Sequence, residues 1–200
     1  MNGKIVLLCS LTAASAILSG CGSRTALNQR NFLLEVPRDL PQHETGKDVI
    51  LDVAPFSIDA AFSTKSFVYR KSQSQYETDF YNQFLISPEE MITEKTRRWL
   101  SESGLFKLVL EPGSFAQATH LLEGNILALY GDFSNKSQPK ATMAICFFLV
   151  KLSDKSVVFI KTYRAVSDVQ TPTAEALTAA FDTCLATILS DLEKDLENQL

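Results

Sequence analysis

Few side chains in this 200-residue chain are placed where they could do chemistry. The two histidines are His43, in a loop, and His120, at the start of an apolar run. Neither has a second ligand at a metal-binding spacing such as His-x-x-Glu-His. Serine-nucleophile elbows and glycine-rich phosphate loops do not occur. Glu89-Glu90 offers two carboxylates, but neighbours on a helix diverge by about 100°, and a helix cap accounts for the pair. These patterns supply no catalytic residue, metal ligand or cofactor site, and the expectation is a protein that is not an enzyme. Of the four cysteines, Cys9 lies in an N-terminal apolar segment, Cys146 in a strand-like run and Cys184 on the apolar face of a helix. Without a Cys-x-x-Cys pair, a zinc or dithiol redox site is not expected. Cys21 stands apart, because it directly follows Leu18-Ser19-Gly20.

That placement resembles the bacterial lipoprotein signal. Lys4 supplies a positive n-region and Ile5–Leu18 an apolar h-region, too short and too rich in small residues for a membrane span. Small residues at Ser19 and Gly20 let a peptidase reach the backbone. The resemblance implies a diacylglycerol on the Cys21 thiol, cleavage before Cys21, and often acylation (a palmitate, for example) of the new amine. Residues 1–20 then form the signal peptide, 21–30 a lipidated tether and 31–200 the body. The covalent lipid is the one attached group expected. The mature chain would keep all 23 acidic and 18 of the 19 basic residues, a formal charge of −5. Such a chain has no basic footprint for nucleic acid and gains nothing from anionic lipid. Membrane attachment therefore rests on acyl chains, of which two or more anchor stably. Gly22–Arg30 is small and polar, and nine residues reach at most about 30 Å.

The elements that follow Cys21 suit one domain. Phe32–Val36 and Val49–Ala54 read as strands closed by Pro37 and Pro55. Two strand-like runs between Phe67 and Phe84 flank the polar turn Lys71–Gln75, as in a hairpin. Ser87-Pro88-Glu89-Glu90 opens a helix with a capping box, and Met91, Ile92, Thr96, Trp99 and Leu100 give it an apolar stripe ended by Gly104. Phe106–Leu110, His120–Phe133, Ala141–Leu152 and Val157–Val166 read as strands, the last three as an antiparallel meander because their connections are short. Gly124 suggests a bulge. Ala141–Leu152 is apolar at both parities and is expected to be covered on both sides. A final helix after Pro172 carries Leu177, Phe181, Cys184, Leu185, Ile188, Leu192 and Leu196 on one face. Its acidic tail (Asp191, Glu193, Asp195, Glu197) opposes the helix dipole and is expected to fray or to meet a basic partner. The fold class is α+β, an antiparallel sheet with two main helices packed on it in a single domain.

Export would place the remaining thiols in an oxidising compartment. Cys146 and Cys184 are then either two separate buried thiols or a strand-to-helix disulfide. Eight aromatic residues fall between Phe56 and Phe84. Most must be core, but Tyr76, Phe80 and Phe84 share one alternation parity and Tyr81 has the other. Both faces of one hairpin cannot easily be buried in one core, so these four are candidate partner-interface residues.

At these residues the chain resembles the ABC-type transport auxiliary lipoprotein family. The likeness lies in the Cys21 signal, the Phe32-Leu33-Leu34 opening, the strand closed by Pro55, and the stretch Tyr76-Glu77…Tyr81-Asn82-Gln83-Phe84…Pro88…Met91 leading to Trp99-Leu100 and Gly104-Leu105-Phe106. It implies a non-enzymatic auxiliary or docking component of an MCE-type ABC transport system that moves phospholipids between membranes. It also implies an MCE-domain protein as partner, with copies of the chain themselves as further candidates for a ring. Only the lipidated cysteine carries over, onto Cys21. Gly22 stands where an aspartate would favour the inner membrane, so the implied location is the periplasmic face of the outer membrane. Two other readings remain open, a lipid-binding carrier and a regulator of a cell-envelope enzyme.

Overall fold

The computed structural model describes residues 28–200. The signal segment and Cys21 lie outside them. Nine strands form one mixed sheet: β1 (Arg30–Phe32), β2 (Lys47–Val53), β3 (Ser57–Ile58), β4 (Ser66–Arg70), β5 (Tyr76–Phe84), β6 (Phe106–Val109), β7 (His120–Asp132), β8 (Lys140–Lys151) and β9 (Ser156–Asp168). Helices α1 (Pro88–Ser103) and α2 (Ala174–Gln199) complete a single α+β unit that is not a closed barrel.

The meander β7–β8–β9 is antiparallel, as its short connections require. The expectation of a wholly antiparallel sheet needs correction. The far edge of β7 is shared lengthwise by β2, β3 and β4, all parallel to it. β6 adds parallel to β2, and β1 parallel to β5. Those pairings follow from long returns, through α1 for β2–β6, which no local pattern reports. The first strand is also shorter than its apolar run implies, Arg30–Phe32 in place of Phe32–Val36.

α1 forms where its cap and stripe predict. Met91, Ile92, Thr96, Trp99 and Leu100 are all buried, and Gly104 stops the helix at φ 70°, a left-handed turn that glycine adopts without steric cost. The cap differs in detail. The Ser87 carbonyl accepts from the Met91 N–H at 3.0 Å, but its side chain makes no cap bond to the backbone, and its hydroxyl donates to the Glu90 carboxylate at 3.5 Å. α2 keeps helical form to Gln199, so its acidic tail does not fray.

Both helices cover one face of the sheet. On β8 that face carries Ala141, Met143, Ile145, Phe147 and Leu149, all without solvent exposure, against Leu177, Phe181, Leu185 and Ile188 of the α2 stripe. Each fully buried side chain of this size contributes about 1.5–3 kcal/mol. Phe147 meets Phe56 edge-on at 5.6 Å, and the Phe56 ring lies against the backbone of Gly124, where a Cβ would sit 2.7 Å from it. Gly124 therefore marks a close approach. The β7 bulge falls three residues later, at Leu127.

Candidate functional site

Cys146 and Cys184 are both free thiols. β8 runs without a bulge of its own, so Cys146 has the parity opposite to Ala141, Ile145 and Phe147 and points away from the helices. Cys184 lies on the other side, its Sγ 3.7 Å from the Ala141 carbonyl. The sheet separates them, so the reading as two separate thiols fits and a disulfide would require moving a strand. Burial pushes the Cys184 thiol up to about 12, which makes it an inert apolar filler.

The face of the meander that carries Cys146 was expected to be covered, and only half of it is. At one end, Phe62 stacks on Tyr130 at 5.8 Å and Tyr76 meets the same ring at 5.6 Å. At the other end Phe148, Val150, Val157 and Ile160 have no such cover. Phe148 is paired across strands with Ile160, and Val150 with Val157. Ile160 is 61% exposed and Val157 56%. β9 is also an unpaired edge, bonded to β8 alone. Large apolar side chains clustered on an open face are the usual signature of a contact surface. Sequence reasoning missed Ile160 and Val157. The run Val157-Val158-Phe159-Ile160 is apolar at both parities, and such a run does not say which face lacks a helix.

The four aromatic candidates part company. Phe84 is 2% exposed and packs against Phe67 at 4.7 Å and Phe181 at 6.2 Å, so it is core. Tyr76 is partly exposed but engaged with Phe62 and Tyr130. Phe80 and Tyr81 stand out at 58% and 55% exposure, edge to face at 5.4 Å. The parity argument fails for a physical reason. From Val68↔Thr78 to Ser66↔Gln83 the register shifts, so the partner strand advances two positions while β5 advances five. The extra residues throw Phe80 and Tyr81 outward and turn Phe84 inward.

Asp79 builds that protrusion. Its carboxylate accepts from the backbone N–H of Tyr81 at 2.7 Å and of Asn82 at 3.0 Å, from the Asn82 amide at 2.7 Å, and from the Tyr69 hydroxyl at 2.7 Å. Burial works against its charge, but these donors outweigh burial and lower its pKa. The chain entering from the amino-terminal side meets the same corner: Gln29 Nε2 donates to the Phe80 carbonyl at 3.3 Å and Arg30 Nε to Asn82 Oδ1 at 2.9 Å.

The strongest polar cluster was not visible as such. Glu193 sits in the expected acidic tail yet is 4% exposed. Arg38 grips it bidentately at 2.6 and 3.0 Å, His43 Nε2 lies at 3.0 Å, and Trp99 Nε1 donates at 2.7 Å. The basic partner of the tail is thus the chain itself. Asp195 is likewise held, by Lys161 and the Tyr163 hydroxyl. All oxygens of Glu193 are committed, so the cluster is a latch between the 38–43 loop, α1 and α2, with no lone pair left for general-base work. His120 meets only Thr119, Nδ1 to Oγ1 at 3.0 Å, among its side-chain partners. Among the described residues no group of three or more His, Cys, Asp or Glu could hold a metal.

Asp182 is the exception to well-served carboxylates. Burial raises its pKa to about 6, against the opposing backbone N–H of Glu35 at 2.9 Å. A raised acid is disfavoured when ionised, so this site costs nothing below the unfolded value of 3.8 and costs fully above about 6. Asp182→Asn is expected to stabilise the protein by about 2 kcal/mol at pH 8, with the gain vanishing below pH ~4. Urea unfolding at both pH values checks it; an equal gain at both would remove ionisation as the cause.

No family model matches the chain, and no curated protein does. Solved structures do. Protein XCC0632 from Xanthomonas campestris, of the family DUF330, superposes with TM-score 0.73 at 17% identity, covering 86% of this chain and 100% of that one. An uncharacterized protein follows with TM-score 0.68 and 11% identity, covering 84% and 99%. The hypothetical protein CT253 from Chlamydia trachomatis gives TM-score 0.50 and 11% identity over 74% and 96%. These likenesses establish the fold over nearly the full length of the neighbours. At such identities they establish no activity. Among the described residues, no helix is long and apolar enough to cross a membrane.

Proposed function

We propose that this chain is a non-enzymatic, lipid-anchored docking protein of the outer membrane that serves an MCE-type ABC system for phospholipid transport. The observation that carries a docking role is the uncovered apolar half of the meander, Phe148, Val150, Val157 and Ile160 beside the unpaired β9 edge. An MCE-domain protein is the partner that the sequence resemblance implies, and the Cys21 signal supplies the anchor. The acyl chains hold the body at one membrane, and the partner provides any span to the other.

The same core argues against a lipid carrier. An acyl chain would need the space between sheet and helices, and Met143, Ile145, Phe147, Phe181 and Leu185 fill it. An apolar groove of about 380 Å³ between Phe56, Ile86 and Pro112 is open to solvent and rimmed by Glu89, Glu90 and Glu94.

A photocrosslinking residue at Ile160 in the full-length protein is expected to capture an MCE-domain protein. Val157→Asp with Ile160→Asp, both more than half exposed, is expected to cut that capture about tenfold or more with little change in the melting temperature, since a charge in a contact core costs roughly 2–5 kcal/mol while an exposed one is nearly neutral. Capture of a cell-wall synthase alone would turn the reading to envelope-enzyme regulation. Capture of neither would remove the docking assignment.

A further inference from the structure

We infer that the Phe80–Tyr81 protrusion is a membrane-contacting tip that seats the body on the same bilayer that holds the anchor. The inference rests on the proposed lipidation of Cys21. An aromatic surface remote from the anchor would suit a protein partner. The structure puts this one at the point where the tether enters: Gln29 bonds to the Phe80 carbonyl and Arg30 to Asn82. Eight residue steps separate Cys21 from Gln29, a reach of at most about 29 Å. An acylated Cys21 therefore keeps this corner near the bilayer whatever the rest of the body does.

The corner is suited to an interface between water and hydrocarbon. At this corner Phe80 and Tyr81 are both more than half exposed, and aromatic rings favour the headgroup layer, with a tyrosine hydroxyl able to stay hydrated. The nearest acid, Asp79, turns its carboxylate inward onto Tyr69, Asn82 and two backbone N–H groups. Arg30, the nearest cation, is balanced by Glu175 at 2.7 Å, so the tip has no strong charge to attract or repel lipid. The Asp79 bonds also fix the loop before contact, which limits the conformational entropy lost on insertion. Two or more acyl chains already anchor stably, so a protein-borne contact serves to orient the body on the bilayer rather than to hold it there.

The test uses the full-length protein, matured in cells and reconstituted into vesicles of phosphatidylethanolamine, phosphatidylglycerol and dibrominated phosphatidylcholine. Phe80→Trp reports the tip. Trp99 stays, because it binds Glu193, and its buried emission is subtracted with the parent protein. The expected result is at least a twofold loss of the added emission on brominated lipid relative to unbrominated lipid, with Tyr81→Trp behaving alike. Mass measurement of the Cys21 peptide on the same sample separates the two claims. An acylated Cys21 with unquenched tips would overturn the tip and leave the anchor standing. An unacylated Cys21 would overturn both. Tip emission shielded from solvent yet unaffected by bromine, with a protein crosslinked at position 80, would assign the tip to a protein contact instead.

Discussion

Glu193→Ala is expected to lower the unfolding free energy by about 3–5 kcal/mol, a large part of the stability of a domain this size. The carboxylate is the common acceptor for Arg38, His43 and Trp99. The Arg38 side chain is only 2% exposed, so deletion strands a buried guanidinium and a buried indole N–H. Glu193→Gln keeps the volume and one acceptor but removes the charge, and falls between. The cluster also has a pH signature. Burial opposes ionisation of Glu193, yet the bonds from Arg38, His43 and Trp99 outweigh it and lower its pKa below 4.5. A depressed acid stabilises fully above its unfolded value and loses that contribution as pH falls through the native one. The mutational cost should therefore shrink in acid. Guanidinium unfolding, followed through Trp99, the single tryptophan, measures both. A double cycle with Arg38→Ala should be strongly non-additive, since the first deletion already breaks the pair. A cost under ~1 kcal/mol at pH 7 would show that the latch is incidental.

The second large effect belongs to Cys21. Wild-type protein is expected to yield an amino-terminal peptide that begins at residue 21 and carries the mass of two or more acyl chains. Exchange of residues 1–20 for an ordinary secretory signal, with Cys21→Ser, should move the body from the detergent phase to the aqueous phase. The change should exceed roughly a thousandfold, because each buried methylene contributes about 0.8 kcal/mol and two chains anchor where one binds marginally. An exchanged protein that stays with membranes in full would show that something other than the cysteine holds it.

Several features could be read from the residues because they are decided locally. Ser87-Pro88 and Gly104 bound α1 through terminal geometry, and the stripe from Met91 to Leu100 sets its buried face through 3.6-residue periodicity. The meander follows from connections too short for crossovers. The α2 stripe names its own inner face. Each depends on residues a few positions apart.

Other features depend on distant segments. The parallel pairing of β2, β3 and β4 to one edge of β7 is set by returns that periodicity does not describe. Asp79 and the residues inserted opposite β4 reverse the parity of β5, which buries Phe84 and exposes Phe80 and Tyr81. Glu193 looks like one acid among several until Arg38, 155 positions away, is brought against it.

By itself the sequence determined the two helices and the α+β class, because capping and periodicity act on neighbouring residues. Tertiary structure alone decided which half of the meander remains open, that Cys146 and Cys184 face opposite sides of the sheet, and that Phe80 and Tyr81 lie beside Gln29 and Arg30. Those outcomes depend on which distant segments cover which faces, and coverage is a property of packing that no short stretch of residues encodes.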